Sequence, residues 1–111
     1  MKNRINQYRT VWVLVFFDLP TETRKERRKA TEFRKHLLKD GFQMFQFSIY
    51  LRFCMSNENA DVHTNRTKSN LPEHGKVAIL RITDRQFGMI QLFHGQKNAD
   101  LPQIAQQLEL F

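Results

Sequence analysis

The sequence predicts a single α+β domain in which two helices pack on an antiparallel sheet and an extra strand follows at the C-terminal end. Three observations carry this. Val11 to Phe17 is a β-branched and aromatic run with no polar face. Thr23-Arg24-Lys25-Glu26 has the spacing of a helix capping box, and Gly41 stands where that helix should stop. From Gly41 to Cys54 apolar and polar residues alternate with period two.

Residues 1–10 are polar and basic and read as a short arm. The strand from Val11 lacks any polar alternation, so it is expected to be buried on both faces. It stops at Asp18-Leu19-Pro20, because proline cannot donate to a ladder. The Thr23 hydroxyl and the Glu26 carboxylate can each satisfy a free amide of the first turn. The helix they open should run to about Asp40 and end on Gly41 in the left-handed conformation. Ala30, Phe33 and Leu37 share one face of it, bordered by Leu38. Arg24, Arg28, Lys35 and Lys39 fall within a narrow arc on the opposite side, with Lys25 beside them. That arc is a cationic stripe for a polyanion or a plain solvated face.

In the alternating segment, Phe45, Phe47, Ile49, Leu51 and Phe53 point one way, which predicts one core face. Met44, Gln46, Ser48, Tyr50 and Arg52 point the other way. The segment is longer than a usual strand, so two strands with a turn near Gln43–Gln46 are expected. Residues 55–72 are rich in Asn, Thr, Ser and His; they read as a helix from Ser56, with a surface loop as the alternative. Lys76 to Thr83 is a further strand, Asp84-Arg85 a turn, and Phe87 to His94 a last strand. Leu101 to Phe111 returns to apolar character. The order strand, helix, two strands, helix, strand is that of the ferredoxin-like βαββαβ fold, and the last strand is an addition to it. Residues 1–95 are expected to form this domain, and 96–111 a tail that can dock on a partner chain. Both helices of such a fold lie on one face of the sheet. The other face, carrying either Trp12, Leu14 and Phe16 or their odd-numbered neighbours, would be wet unless covered, and a sheet-on-sheet homodimer is the simplest cover.

Composition narrows the function. The chain has 111 residues, 41% of them apolar, which is one domain with a sizeable core. The longest apolar run is far short of the ~20 residues that span a bilayer, and no leader peptide is visible. Cys54 is the single cysteine. Disulfide scaffolds and zinc ribbons are thereby excluded, and a cytoplasmic location is expected. The formal net charge is +7. Residues 1–53 hold twelve basic and five acidic side chains and residues 54–111 six of each, so the whole surplus lies in the first half. Such an asymmetric basic field suits nucleic acid.

Little else in the sequence suggests chemistry. His36, His63, His74 and His94 have no ligand partner at metal-binding spacing, and the four glycines form no phosphate loop. Cys54, at a strand end, reads as a small buried hydrophobe. Asp18 differs, because it ends a buried strand at a turn that feeds a helix. It is a turn residue, or it is a carboxylate that two copies of the chain bring together around a hard cation such as Mg²⁺.

Leu14-Val15-Phe16-Phe17-Asp18-Leu19-Pro20, the basic helix, and Gly41-Phe42-Gln43-Met44-Phe45-Gln46-Phe47-Ser48-Ile49-Tyr50 together resemble CRISPR-associated protein two. The resemblance runs from about Val11 to Phe93, with a spacing similar to that of the branch that accompanies single-protein effectors (type II). It implies a ferredoxin-like homodimer that bridges two dimers of the CRISPR integrase, protein one. The complex would hold a double-stranded DNA prespacer and insert it into the repeat array in antiviral defence. Some members are described as metal-dependent endonucleases on RNA or DNA, using the aspartate that matches Asp18, with Mg²⁺ or another divalent cation as the implied cofactor. Phe17 would then be the aromatic neighbour of that aspartate, and Ser48 and Tyr50 polar interface positions. One position departs from the pattern, since Met44 stands where many members carry an arginine. The resemblance makes an adaptation subunit the leading reading and a stand-alone endoribonuclease the alternative. A ferredoxin-like module for small ligands is a third reading, which the basic asymmetry disfavours. Arg24, Arg28, Lys35 and Lys39 are assigned to DNA backbone contact. Leu108, Leu110 and Phe111 are assigned to docking on a partner or to packing in the chain's own dimer.

Overall fold

The computed structural model describes residues 9–102. Its centre is β1 (Val11–Asp18), which pairs antiparallel with β3 (Ile49–Cys54) on one side and β4 (Lys76–Thr83) on the other. β2 (Gln43–Gln46) extends the sheet beyond β3, giving the order β2-β3-β1-β4. With α1 (Arg24–Lys39) after β1 and α2 (Asn57–Lys68) after β3, this is the ferredoxin-like arrangement.

The lack of polar alternation in β1 has a direct cause, because both its faces are core. Val11, Val13, Val15 and Phe17 face the helices and pack with Phe33 and Leu37 of α1 and Ala60 of α2. Trp12 and Leu14 face the other way and pack with Leu51 and Phe87.

α1 begins and ends as its sequence dictates. The Thr23 hydroxyl accepts from the Glu26 amide at 3.1 Å, and the Glu26 carboxylate accepts from the Thr23 amide at 2.9 Å. At the other end Gly41 takes φ +92°, Phe42 N–H donates to Leu37 C=O and Gly41 N–H to Leu38 C=O. This is a Schellman stop, with Phe42 and Leu37 joined in the same core cluster.

The alternating segment does form two strands, joined through Phe47-Ser48 with a register irregularity between Met44 and Gln46. The expected single core face is corrected. Phe45, Leu51 and Phe53 pack on the side away from the helices, whereas Tyr50 and Cys54 are buried beneath the helices. β3 lies beside β1 and is covered by core on both faces, so Tyr50 and Cys54 are buried as well as Leu51, while Met44 and Gln46 of the edge strand β2 stay exposed. Phe47 leaves the alternation at the turn and is 70% exposed.

Of the two readings of residues 55–72, the helix is the one found. Ser56 caps it by accepting from the Asn59 amide at 3.0 Å. Ala60, His63 and Thr67 form its buried face, and Val62 is exposed. Two of those three core positions are polar, which is why hydropathy marks this helix weakly.

The C-terminal part departs most from expectation. Asp84-Arg85 is no open turn but the start of a single helical turn, α3 (Asp84–Phe87), closed by a Thr83–Gln86 capping box. The strand expected over Phe87–His94 shrinks to β5 (Leu92–His94). It pairs with β6 (Lys97–Ala99) in a separate two-stranded hairpin, not in the main sheet. That hairpin straddles the expected boundary at residues 95 and 96. The cause is Trp12, whose ring stacks on Phe87 at 4.0 Å and whose Nε1–H donates to Asp84 Oδ1 at 2.8 Å. Both contacts turn the chain back over the sheet directly after β4.

This folding back also revises the argument from an uncovered sheet face. Trp12 is 1% exposed because Phe87, Ile90, Phe53 and Leu101 of its own chain cover that half of the face. Around Phe16, Ala78 and Leu80, towards Asp18, the same face stays partly open, with Leu80 47% exposed. Most of the basic arm, residues 1–8, lies outside the described residues. So do Leu108, Leu110 and Phe111. Among the described residues no helix is long and apolar enough to cross a membrane.

Candidate functional site

Asp18 is the last residue of β1 and lies opposite Lys76 of β4. Strand parity puts it on the face of Trp12, Leu14 and Phe16, away from the helices. Its side chain is exposed, and among the described residues no cation stands within ion-pairing distance of it. An open groove of about 850 Å³ runs past it, lined by Phe16, Ser48, Ile49, Lys76 and Ala78. One glycine shapes this groove. Gly75 has φ +99°, and a Cβ there would stand 2.8 Å from the Asp18 carbonyl oxygen and 2.8 Å from Leu19 Cδ2. The loop before β4 can therefore press on the end of β1 only through glycine.

The expected interface pair separates. Ser48 lines the Asp18 groove, and its carbonyl accepts from Phe17 N–H at 3.0 Å, tying the β2–β3 turn to the end of β1. Tyr50 is 3% exposed on the opposite face, its ring 5.6 Å from that of Phe17. It is a core residue of its own chain rather than a group on an open surface.

Arg24, Arg28, Lys35 and Lys39 are all exposed on α1, on the side away from Ala30, Phe33 and Leu37. None of the four has an ion-pair partner among the described residues. At 1.5 Å per residue the stripe is about 22 Å long. Since α1 covers one face of the sheet and Asp18 lies on the other, the cations and the carboxylate are not brought together within one chain.

A carboxylate is a suitable hard donor for Mg²⁺, but one chain offers a single one here. No group of three or more His, Cys, Asp or Glu side chains able to hold a metal ion occurs among the described residues. The donor type fits a divalent cation and the donor number in one chain does not.

A second polar cluster escapes sequence reasoning altogether. Asp40, which caps the C-terminal end of α1, accepts from Arg66 Nη1 at 2.8 Å and meets His63 Nδ1 at 2.9 Å. Arg52 Nε donates to the Asp40 carbonyl at 2.8 Å. Burial alone would push the Asp40 carboxyl up, but the His63 and Arg66 hydrogen bonds and charges outweigh it and hold its pKa below the ordinary 3.8. The folded state thus favours the ionised form. Its stabilisation is complete above the ordinary carboxylate pKa and is lost as pH falls through the lowered one. Asp40→Asn is expected to cost about 2 kcal/mol at neutral pH. The difference from wild type should shrink in urea titrations carried below that value. Burial raises the Cys54 thiol, against the weaker pull of Arg52, which leaves it a poor nucleophile at neutral pH.

The fold and site together define a small ferredoxin-like protein with an open carboxylate at the end of its central strand and a cationic helix on its far side. Residues 11–90 match the family model described as CRISPR associated protein Cas2, and the chain belongs to that family. It is 66% identical over 108 residues to a protein of Flavobacterium psychrophilum, covering 97% of this chain and 94% of the relative. It is 48% identical over 101 residues to one of Parvibaculum lavamentivorans, covering 91% of this chain and all of the relative. Both relatives are called CRISPR-associated endoribonuclease Cas2. A solved structure titled "Crystal structure of cas2" superposes with a TM-score of 0.54 at 17% identity, over 84% of this chain and 98% of that one, a likeness of fold.

Proposed function

We propose that the protein is a structural subunit of the CRISPR adaptation complex. As a homodimer it bridges integrase dimers and holds the backbone of double-stranded prespacer DNA in the cytoplasm. The observation that carries this is the row of four exposed, unpaired cations on one rigid helix. Phosphate contacts position a duplex without reading its sequence, which is what a spacer scaffold requires. The partly open sheet face around Phe16, Ala78 and Leu80 suits a second copy, and Asp18 lies at its margin. The family membership supports the CRISPR setting.

The test is half-site integration with the cognate integrase. Asp18→Ala is expected to integrate prespacer DNA at the wild-type rate. Loss of integration with the dimer and the integrase complex intact would place the carboxylate in the function.

The second reading is a Mg²⁺-dependent endoribonuclease acting alone on RNA or DNA, favoured by the name that the relatives carry. It requires two copies to bring their Asp18 carboxylates to one cation. In that case Mg²⁺-dependent cleavage by the purified protein is lost in Asp18→Ala.

A further inference from the structure

Phe47 is the most exposed large apolar side chain among the described residues. It is nonetheless held in place. Its turn is tied to β1 through the Phe17–Ser48 backbone bond at 3.0 Å, and the Arg34 guanidinium lies 4.3 Å from the centre of its ring. Arg34 in turn lies 5.4 Å from the Phe17 ring, which also neighbours Phe33 at 5.2 Å and Tyr50 at 5.6 Å. The Arg34 Nε is buried with no hydrogen-bond partner, so the guanidinium rests on the π faces rather than on an acceptor. One side of the Phe47 ring is thus backed by a cation and its remaining surface faces solvent.

Its place in the fold adds to this. Phe47 is braced against α1, which carries the cationic stripe, and is followed by Ser48, which lines the Asp18 groove. It thus touches the cationic helix through Arg34 and is joined in sequence to a residue of the Asp18 groove. Phosphate contacts make no use of an exposed ring, whereas an unpaired base stacks on one, and a guanidinium alongside strengthens such stacking.

We propose that Phe47, backed by Arg34, is a stacking platform for an unpaired nucleobase, so that the protein engages single-stranded or splayed ends of a nucleic acid whose backbone α1 holds. This rests on the nucleic-acid-binding role proposed above and adds a ligand class to it. The occupant is a base, not a second copy of the chain, because the ring is backed by a cation, and that cation is on the same helix as the four unpaired ones.

The experiment measures anisotropy of labelled oligothymidylate, oligouridylate of equal length, and a blunt DNA duplex on wild type, Phe47→Ala and Phe47→Trp, with circular dichroism and sedimentation on each. Phe47→Ala is expected to weaken single-strand binding about tenfold and to leave duplex binding and the salt slope unchanged. Phe47→Trp should restore the affinity. A loss confined to the thymidylate assigns the platform to DNA, one confined to the uridylate assigns it to RNA, and a loss on both shows the shared base chemistry. Unchanged single-strand binding in Phe47→Ala, with duplex binding still salt-dependent, overturns the platform and leaves the scaffold role standing. An equal loss on duplex, or a change of oligomeric state, also overturns it, the latter by making Phe47 an interface residue. Wild-type protein that binds none of the three probes would overturn both readings.

Discussion

Replacing Arg24, Arg28, Lys35 and Lys39 together by glutamine is expected to weaken DNA binding by about 10³-fold at physiological salt. The slope of log affinity against log salt should flatten by about 3.6. Each cation that neutralises a phosphate of duplex DNA contributes about 0.9 to that slope, so four give the stated change. The loss in affinity is the same counterion release evaluated near 0.15 M salt, or about three decades. All four side chains are exposed, and none has an ion-pair partner among the described residues. Glutamine is nearly as good a helix former as lysine or arginine, so α1 should survive the change. Binding isotherms at several salt concentrations, with circular dichroism as the control, decide it. An intact fold with unchanged affinity and slope would return the stripe to a plain solvated face.

The largest effect on stability is expected from Trp12→Ala, at about 3–5 kcal/mol. That is a large part of the 5–15 kcal/mol typical of a whole domain, roughly speaking. Burial, two ring contacts and a hydrogen bond combine at this residue. The ring is fully buried, stacks on Phe87 at 4.0 Å and meets Phe53 edge-on at 5.4 Å. Its Nε1–H donates to Asp84, so alanine also leaves that carboxylate without its indole donor. Trp12→Phe keeps most of the packing and loses the hydrogen bond, and should cost about 1.5–3 kcal/mol. Urea unfolding ranks the variants. Amide exchange should show residues 84–101 opening before the central sheet, because Trp12 is their anchor. A uniform loss of protection would mean that this segment has no separate dependence on Trp12.

How far sequence reasoning reached depends on the range of the interactions concerned. β1 and α1 are readable because their determinants are local. The unbroken apolar run demands burial on both faces, and Thr23, Glu26 and Gly41 supply their own hydrogen-bond and dihedral logic within a turn of the helix. The cationic stripe on α1 and the placing of Asp18 at a strand end follow from the same local patterns. The single core face holds in the edge strand β2, where Met44 and Gln46 are exposed, and fails in β3, because period two shows that two faces exist, not that one of them is wet. The last strand fails because Phe87 belongs to Trp12, seventy-five positions away in the chain, and that contact outweighs the strand preference of residues 87–91. Gly75 reads only as an isolated glycine until the Asp18 carbonyl is seen against it. The Asp40–His63–Arg66 cluster and the Phe47–Arg34 stack likewise join groups on different elements, with nothing in the spacing to announce them.

By itself, then, the chain's residue order determined the α+β class, the caps of α1, the doubly buried central strand, the cationic stripe and the position of Asp18 at a strand end. Each follows from nearest-neighbour backbone geometry or from a repeat of 2 or about 3.6 residues. Only the tertiary structure decided which sheet face the helices cover, that α3 folds back on Trp12, that Tyr50 is core while Ser48 borders the groove, and that the cations and the carboxylate lie on opposite sides. Strand and helix periods define faces but not their partners. Partners are chosen by packing and hydrogen bonding between residues distant in the chain, and those energies come into being only when the elements meet.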